Sequence, residues 1–190
     1  MTGDEVLDIF RQAGALLEGH FVYTSGRHGT KFIQAARVMQ FPEHVDRLCA
    51  ALGDRFKNDD VQLVVGPATG GIVLSYATAR HLGCRSAFTE KDDGGMAVKR
   101  GIRIEPGTRV LVVEDVVTTG GSVKKTIAHL RERGAQVVGV AVLVDRSAGE
   151  AKFDCPFHAL AEITLESFAP DDPRVASLPG PAVDPDDLLG

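Results

Sequence analysis

The chain has 190 residues, 44% of them hydrophobic and 25% charged, the make-up of one ordinary globular unit rather than of a disordered or fibrous chain. Its 21 Lys and Arg against 26 Asp and Glu give a net charge of −5, which argues against a coat for nucleic-acid phosphate but leaves a small anionic ligand open. No run reaches the roughly 20 apolar residues of a membrane span, and the opening MTGDEVLDIF carries acids where a secretion signal has bases, so a cytoplasmic protein with no membrane partner is expected.

Read in chain order, Val6, Ile9, Phe10, Ala13, Leu16 and Leu17 predict an amphipathic helix. HFVYTSGRHGTKFIQAARV then reads as two short strands about a glycine-containing turn, so a small flap is expected within residues 1 to 40. Pro42 followed by Val45, Leu48, Cys49, Leu52 and Phe56 predicts a helix with proline in its first turn. QLVVG at 62–66 is a buried strand that runs through GPATGG into a helical stretch stopping near Gly83. CRSAFTE is a further strand, and KDDGGMAVKRGIRIEPG after it reads as a long exposed loop or a β-hairpin, with Lys99 and Arg103 as solvated bases. RVLVVED at 109–115 is the next strand. GSVKKTIAHLRERG supplies a helix with Val123, Ile127 and Leu130 on one face and Gly134 just past its end, and QVVGVAVLVD at 136–145 is a third buried strand.

Near-continuous Val and Leu runs separated by helices imply an α/β fold, mainly a parallel sheet flanked by helices. The last 21 residues hold five of the nine prolines and five acids against Arg174 alone. Residues 1–168 are therefore expected as one domain, and 169–190 as a Pro/Asp-rich tail with no regular element, disordered over its last ten or so residues. Removing that tail leaves 20 bases against 21 acids, a body within one charge of neutral.

Cys49, Cys84 and Cys155 are odd in number and widely spaced, and the six histidines form no HExxH. Neither a disulfide framework nor a protein-held metal is expected. In an open parallel sheet, ligands bind beyond the carboxyl ends of the strands. Two turns there carry chemistry: Gly66 to Gly71, and Glu114 to Ser122. Backbone N–H groups from Thr119 to Ser122, with the positive end of a helix, suit a phosphate. Glu114 and Asp115 would repel phosphate but accept hydrogen bonds from sugar hydroxyls. There is no GxxxxGK[ST] or GxSxG, which removes the P-loop and the hydrolase elbow, and neither turn matches GxGxxG, which leaves dinucleotide binding poorly supported.

VLVVEDVVTTGGS at 110–122 resembles the phosphoribosyl diphosphate signature of the type I phosphoribosyltransferases. LLEGHFVYTSGRHGTKFIQAARVMQ, GPATGGI, AFTEK and VLVDR resemble the hood, diphosphate loop, catalytic-loop start and base-contacting strand end of that family's orotate-using branch. The resemblance implies the type I phosphoribosyltransferase fold with a small N-terminal hood, and transfer of a 5-phosphoribosyl group from phosphoribosyl diphosphate to orotate N1. It implies that Glu114 and Asp115 meet the ribose hydroxyls, that Val116 and Val117 line that site, and that Thr118, Thr119, Gly120, Gly121 and Ser122 hold the 5-phosphate. Thr69, Gly70 and Gly71 lie under the diphosphate, and Thr118, Arg146, Ser25 and Gly26 contact orotate. Lys91 and Asp115 are the implied catalytic residues, Mg²⁺ held mainly through substrate the implied cofactor, and a homodimer with shared active sites the implied assembly.

The chain departs from the family pattern at Thr24, where the hood usually has a lysine; Lys31 is the nearby base. It also has Glu90 before Lys91 and no histidine in the loop. Two other readings remain: a purine phosphoribosyltransferase, and a phosphoribosyl-diphosphate-sensing regulator that binds nucleic acid. The second lacks the basic face such a protein needs.

Overall fold

A computed structural model describes residues 1–23 and 25–185. Its first element, α1 (Gly3–Gln12), opens with a reciprocal cap in which the Thr2 amide donates to the Glu5 carboxylate at 2.7 Å and the Glu5 amide to the Thr2 hydroxyl at 3.3 Å. The helix is shorter than its apolar spacing predicts. Gly14, at φ +63°, turns the chain, and Leu16 and Leu17 belong to a strand instead.

That strand, β1 (Leu16–Val22), pairs antiparallel with β2 (His28–Ile33), the two hood strands the sequence predicts. Next come α2 (Pro42–Asp54), with Pro42 in its first turn, β3 (Leu63–Pro67), and α3 (Gly70–Leu82), which ends on left-handed Gly83. β4 (Arg85–Asp92) and β5 (Gly95–Val98) turn the long polar stretch into a hairpin. Its two-residue loop is Asp93-Gly94, both at positive φ, the combination that matches strand twist. β6 (Arg109–Val117) runs two residues past the predicted end. α4 (Gly121–Glu132), β7 (Gln136–Asp145), β8 (Phe157–Glu162) and the short β9 (Ser167–Phe168) complete the order.

The main sheet has the order β5-β4-β3-β6-β7-β8, parallel throughout except for the β4–β5 hairpin. Strand alternation divides its side chains between two cores. Val64, Leu111, Val113, Ala141 and Leu143 pack with α1, α2 and α3 on one face, while Leu63, Val65, Val110, Val112, Val140 and Val142 pack with α4 on the other. Both faces are covered, as the unbroken Val and Leu runs require. Cys49, Cys84 and Cys155 are free thiols, Cys49 buried between α2 and α3 with its Sγ toward the Leu74 carbonyl.

The C-terminal segment corrects the expectation of no regular element. Pro173–Ser177 forms a 3-10 turn, begun by the Asp172 carboxylate accepting from the Arg174 amide. Just before this segment β9 joins the hood sheet beside β2, and within it Val183 bridges Phe21 through bonds to the His20 carbonyl and from the Val22 amide. The prolines exclude a helix or a central strand, yet they leave edge pairing available. The expected disorder of the last ten or so residues falls partly on 186–190, outside the described residues; 181–185 have defined positions.

Candidate active site

The carboxyl ends of β3, β4, β6 and β7 gather at one edge of the sheet, and the loops that leave them build the site. β6 ends at Val117, and the chain bends through Gly120, at φ +73°, to start α4. Only glycine suits Gly120, because the left-handed turn disfavours a Cβ and one placed there would press on the Phe153 ring. Thr118, Thr119, Gly121 and Ser122 remain exposed. Their backbone sits at the positive end of α4, whose first N–H groups have no partner within the helix.

Across from this turn lies the β4–β5 hairpin. Together they wall a cleft of about 600 Å³ lined by Lys91, Glu114, Val116, Val117 and the whole 118–122 turn. The structure thus brings the implied phosphate turn, one of the two acids and the implied catalytic lysine into one cavity of a single chain. Lys91 is exposed and has no carboxylate within ion-pair distance among the described residues. The neighbouring bases are already engaged. Arg100 grips Glu90 through two bonds of 3.0 and 2.8 Å, and Lys99 pairs with Asp92 at 3.0 Å and donates to the Lys91 carbonyl.

Asp115 has a different neighbour. A Cβ on Gly70 would fall on its carboxylate, so the Thr69-Gly70-Gly71 turn lies directly against it. Gly66 and Gly71 meet backbone to backbone in the same turn, and a side chain at either would collide with the other. Burial and the Asp115 charge push the Glu114 carboxyl up to about 8, and burial also raises Asp115. Their hydrogen bonds come from main-chain amides, Asp115 N–H to Glu114 and Val116 N–H to Asp115, and no base pairs with either among the described residues. Two half-buried acids without a counter-charge form a place that favours a cation or a set of hydroxyl donors.

Arg146 follows the end of β7, its amide bonded to the Val117 carbonyl at 2.8 Å. It is half-buried, and its Nε is enclosed with no partner among the described residues. Burial draws its guanidinium down, while nearby Tyr23 of the hood acts in the opposite sense. Tyr23 was not among the residues the sequence singles out. Its hydroxyl donates to the Lys31 carbonyl at 2.6 Å, and its ring lies where any side chain on Gly29 would sit. Ser25 and Gly26 occupy the exposed β1–β2 turn and do not line the cleft. Thr24 lies outside the described residues, and Lys31 is turned to Glu18 at 3.7 Å.

Residues 36–172 match the phosphoribosyl transferase domain family. The chain is 47% identical over 185 residues to the orotate phosphoribosyltransferase of Desulforamulus reducens, covering 97% of each chain. It is 47% identical over 167 residues to that of Thermotoga maritima, covering 88% of this chain and 89% of the relative. Among solved structures, orotate phosphoribosyltransferase from Aeropyrum pernix is similar with a TM-score of 0.69 at 28% identity, over 83% of this chain and 93% of the other.

Proposed function

The chain belongs to the phosphoribosyl transferase family, and we propose that within it the protein is an orotate phosphoribosyltransferase, serving pyrimidine nucleotide synthesis. The observation that carries this reading is the single cleft shared by Lys91, Glu114 and the 118–122 turn. The choice of orotate over a purine base rests on the near-full-length likeness to relatives of that name. The reaction forms a bond from orotate N1 to ribose C1 and breaks the bond from C1 to the diphosphate oxygen.

The 5-phosphate is held by the N–H groups of Thr118 to Ser122 and the positive end of α4, with no need of a side-chain cation. Glu114 and Asp115 accept hydrogen bonds from the ribose hydroxyls, and their charge offsets the positive character that grows on the sugar as the C1 bond breaks. For them to ionise, something cationic must replace the protons that burial favours. Mg²⁺ fits that need beside these two acids. No group of three or more His, Cys, Asp or Glu among the described residues could hold a metal unaided, so the ion would be shared with substrate oxygens. When bound it would neutralise the departing diphosphate. Lys91 faces the same leaving group, and the 69–71 turn supplies backbone beneath it. Arg146 offers a planar fork to the orotate carboxylate or carbonyl, with Thr118, Ser25 and Gly26 as further contacts. A homodimer as the working unit and the cytoplasm as its place rest on the family resemblance alone.

The test is direct. The protein, mixed with orotate, phosphoribosyl diphosphate and Mg²⁺, should consume orotate and release diphosphate; folded protein with no turnover, or with adenine or hypoxanthine preferred, overturns the reading. Lys91→Ala should lower kcat about 100-fold or more while KM for orotate changes little. An unchanged kcat would remove Lys91 from the chemistry.

A further inference from the structure

Among the described residues, the hairpin that carries Lys91 is hydrogen-bonded to α4 at one rung. Thr89 and Val98 face each other across the hairpin. The Thr89 hydroxyl shares a 2.8 Å hydrogen bond with the Thr126 hydroxyl, both side chains buried. Across the rung, the Val98 amide donates to His129 Nε2 at 3.0 Å. Thr126 and His129 are three residues apart on α4, neighbours on one helix face. One face of one helix therefore holds both strands, two residues before Lys91. The first turn of that same helix presents the 119–122 backbone to the opposite wall of the cleft. Beyond the rung, the hairpin is secured by its own ladder and by the Glu90–Arg100 and Asp92–Lys99 pairs, which solvent screens.

We propose that Thr126 and His129 form a clamp that sets the distance between Lys91 and the phosphate-facing turn, with His129 a positioning residue. The inference rests on reading Lys91 as the group that meets the diphosphate. The chemistry of the clamp constrains the ring. Because Val98 N–H is a donor, Nε2 must offer its lone pair, and the neutral ring carries its proton on Nδ1. A doubly protonated ring would set donor against donor and break the contact. Charged groups around the ring are Glu132 and Arg133 on α4 and Asp92 on β4; burial and Arg133 draw the imidazole down, while Glu132 and Asp92 oppose them. The clamp is closed at neutral pH and opens as the solution is acidified.

Two measurements on the full chain test this. The first is amide hydrogen exchange at Val98, read as a protection factor. His129→Ala should lower it about 10-fold with little change in Tm, whereas His129→Gln, whose amide oxygen can accept the same bond, should keep it. The second is steady-state kinetics. His129→Ala should lower kcat about 10-fold with KM for orotate within about 2-fold, and His129→Gln should restore most of kcat and flatten the fall in kcat on acidification below 6.5. Unchanged Val98 protection in His129→Ala, or a glutamine variant no better than alanine, overturns the clamp. If His129→Ala does not fold, Thr126→Val carries the same expectation of a lower kcat at constant orotate KM, and a wild-type kcat there overturns it. Failure of the wild type to turn over orotate would defeat the functional reading, while the exchange measurement would still decide the clamp.

Discussion

In the turn from β3 into α3, glycines let backbone meet backbone: Gly66 lies on Gly71, and Gly70 lies on the Asp115 carboxylate. In the turn from β6 into α4, Gly120 instead lets the chain bend through positive φ, and Thr118, Thr119, Gly121 and Ser122 stay open to a cleft. The two segments look alike in sequence, each a Gly-Gly pair after a hydroxyl residue at the head of a helix. The first packs backbone on backbone and fixes Asp115 while Thr69 stays exposed; the second is open along its whole hydroxyl-bearing turn. A Gly-rich turn before a helix therefore marks a place where backbone comes close to something, and only the surroundings say whether that is another strand or a ligand.

The contrast is sharpest at Gly66. Gly66→Ala would force a Cβ into the Gly71 backbone, which has no side chain to rotate away, so a loss of roughly 3 kcal/mol and a Tm fall of about 10 °C are expected in thermal unfolding. A Tm within about 2 °C of wild type would show that packing to be loose. Next comes Glu114, between the two turns. Its carboxyl is raised from 4.5 to about 8 in the fold, so the folded chain binds that proton more tightly than the unfolded one. The resulting stability is present below 4.5 and is lost as pH rises through about 8. Glu114→Gln should therefore leave Tm unchanged near about pH 4 and raise it by about 5 °C near about pH 8.5, while substrate turnover falls. The same Tm difference at both pH values would remove the linkage. The smallest effect belongs to the open turn. Gly120→Ala meets strain at positive φ and the edge of a Phe153 ring that can shift, so about 1–2 kcal/mol and a Tm fall of about 4 °C are expected, with a larger proportional loss in phosphoribosyl diphosphate KM than Gly66→Ala shows per degree. Equal behaviour of the two variants in both assays would erase the distinction between the two turns.

Much of this was legible along the chain. Helices with three-to-four spacing and strands of unbroken Val and Leu announce themselves because burial on one or both faces imposes the pattern. β8 carries no strand signal of its own, because FHALAE has no β-branched residue, and it forms by pairing with β7 at the sheet edge. The end of α1 was overrun because Leu16 and Leu17 continue its apolar spacing, although Gly14 marks the break. The Asp93-Gly94 turn was readable as a hairpin signal, and the structure makes it one. The acids, hydroxyls and glycines of 114–122 are legible together since they occupy one strand end and the continuous turn after it. Thr126 and His129 carry no local signal, since their partners lie 37 and 31 positions away.

By itself the sequence determined the α/β class, the two glycine-rich turns and the residue types able to receive a phosphate and a sugar, because these depend on periodicity and on chemistry within a dozen consecutive residues. Tertiary structure alone decided that Lys91 shares a cleft with the 118–122 turn, that Asp115 rests on Gly70, and that the proline-rich C-terminal segment ties onto the hood. Those outcomes depend on how strands align across the sheet and which buried polar atoms find partners, and no local signal carries that information.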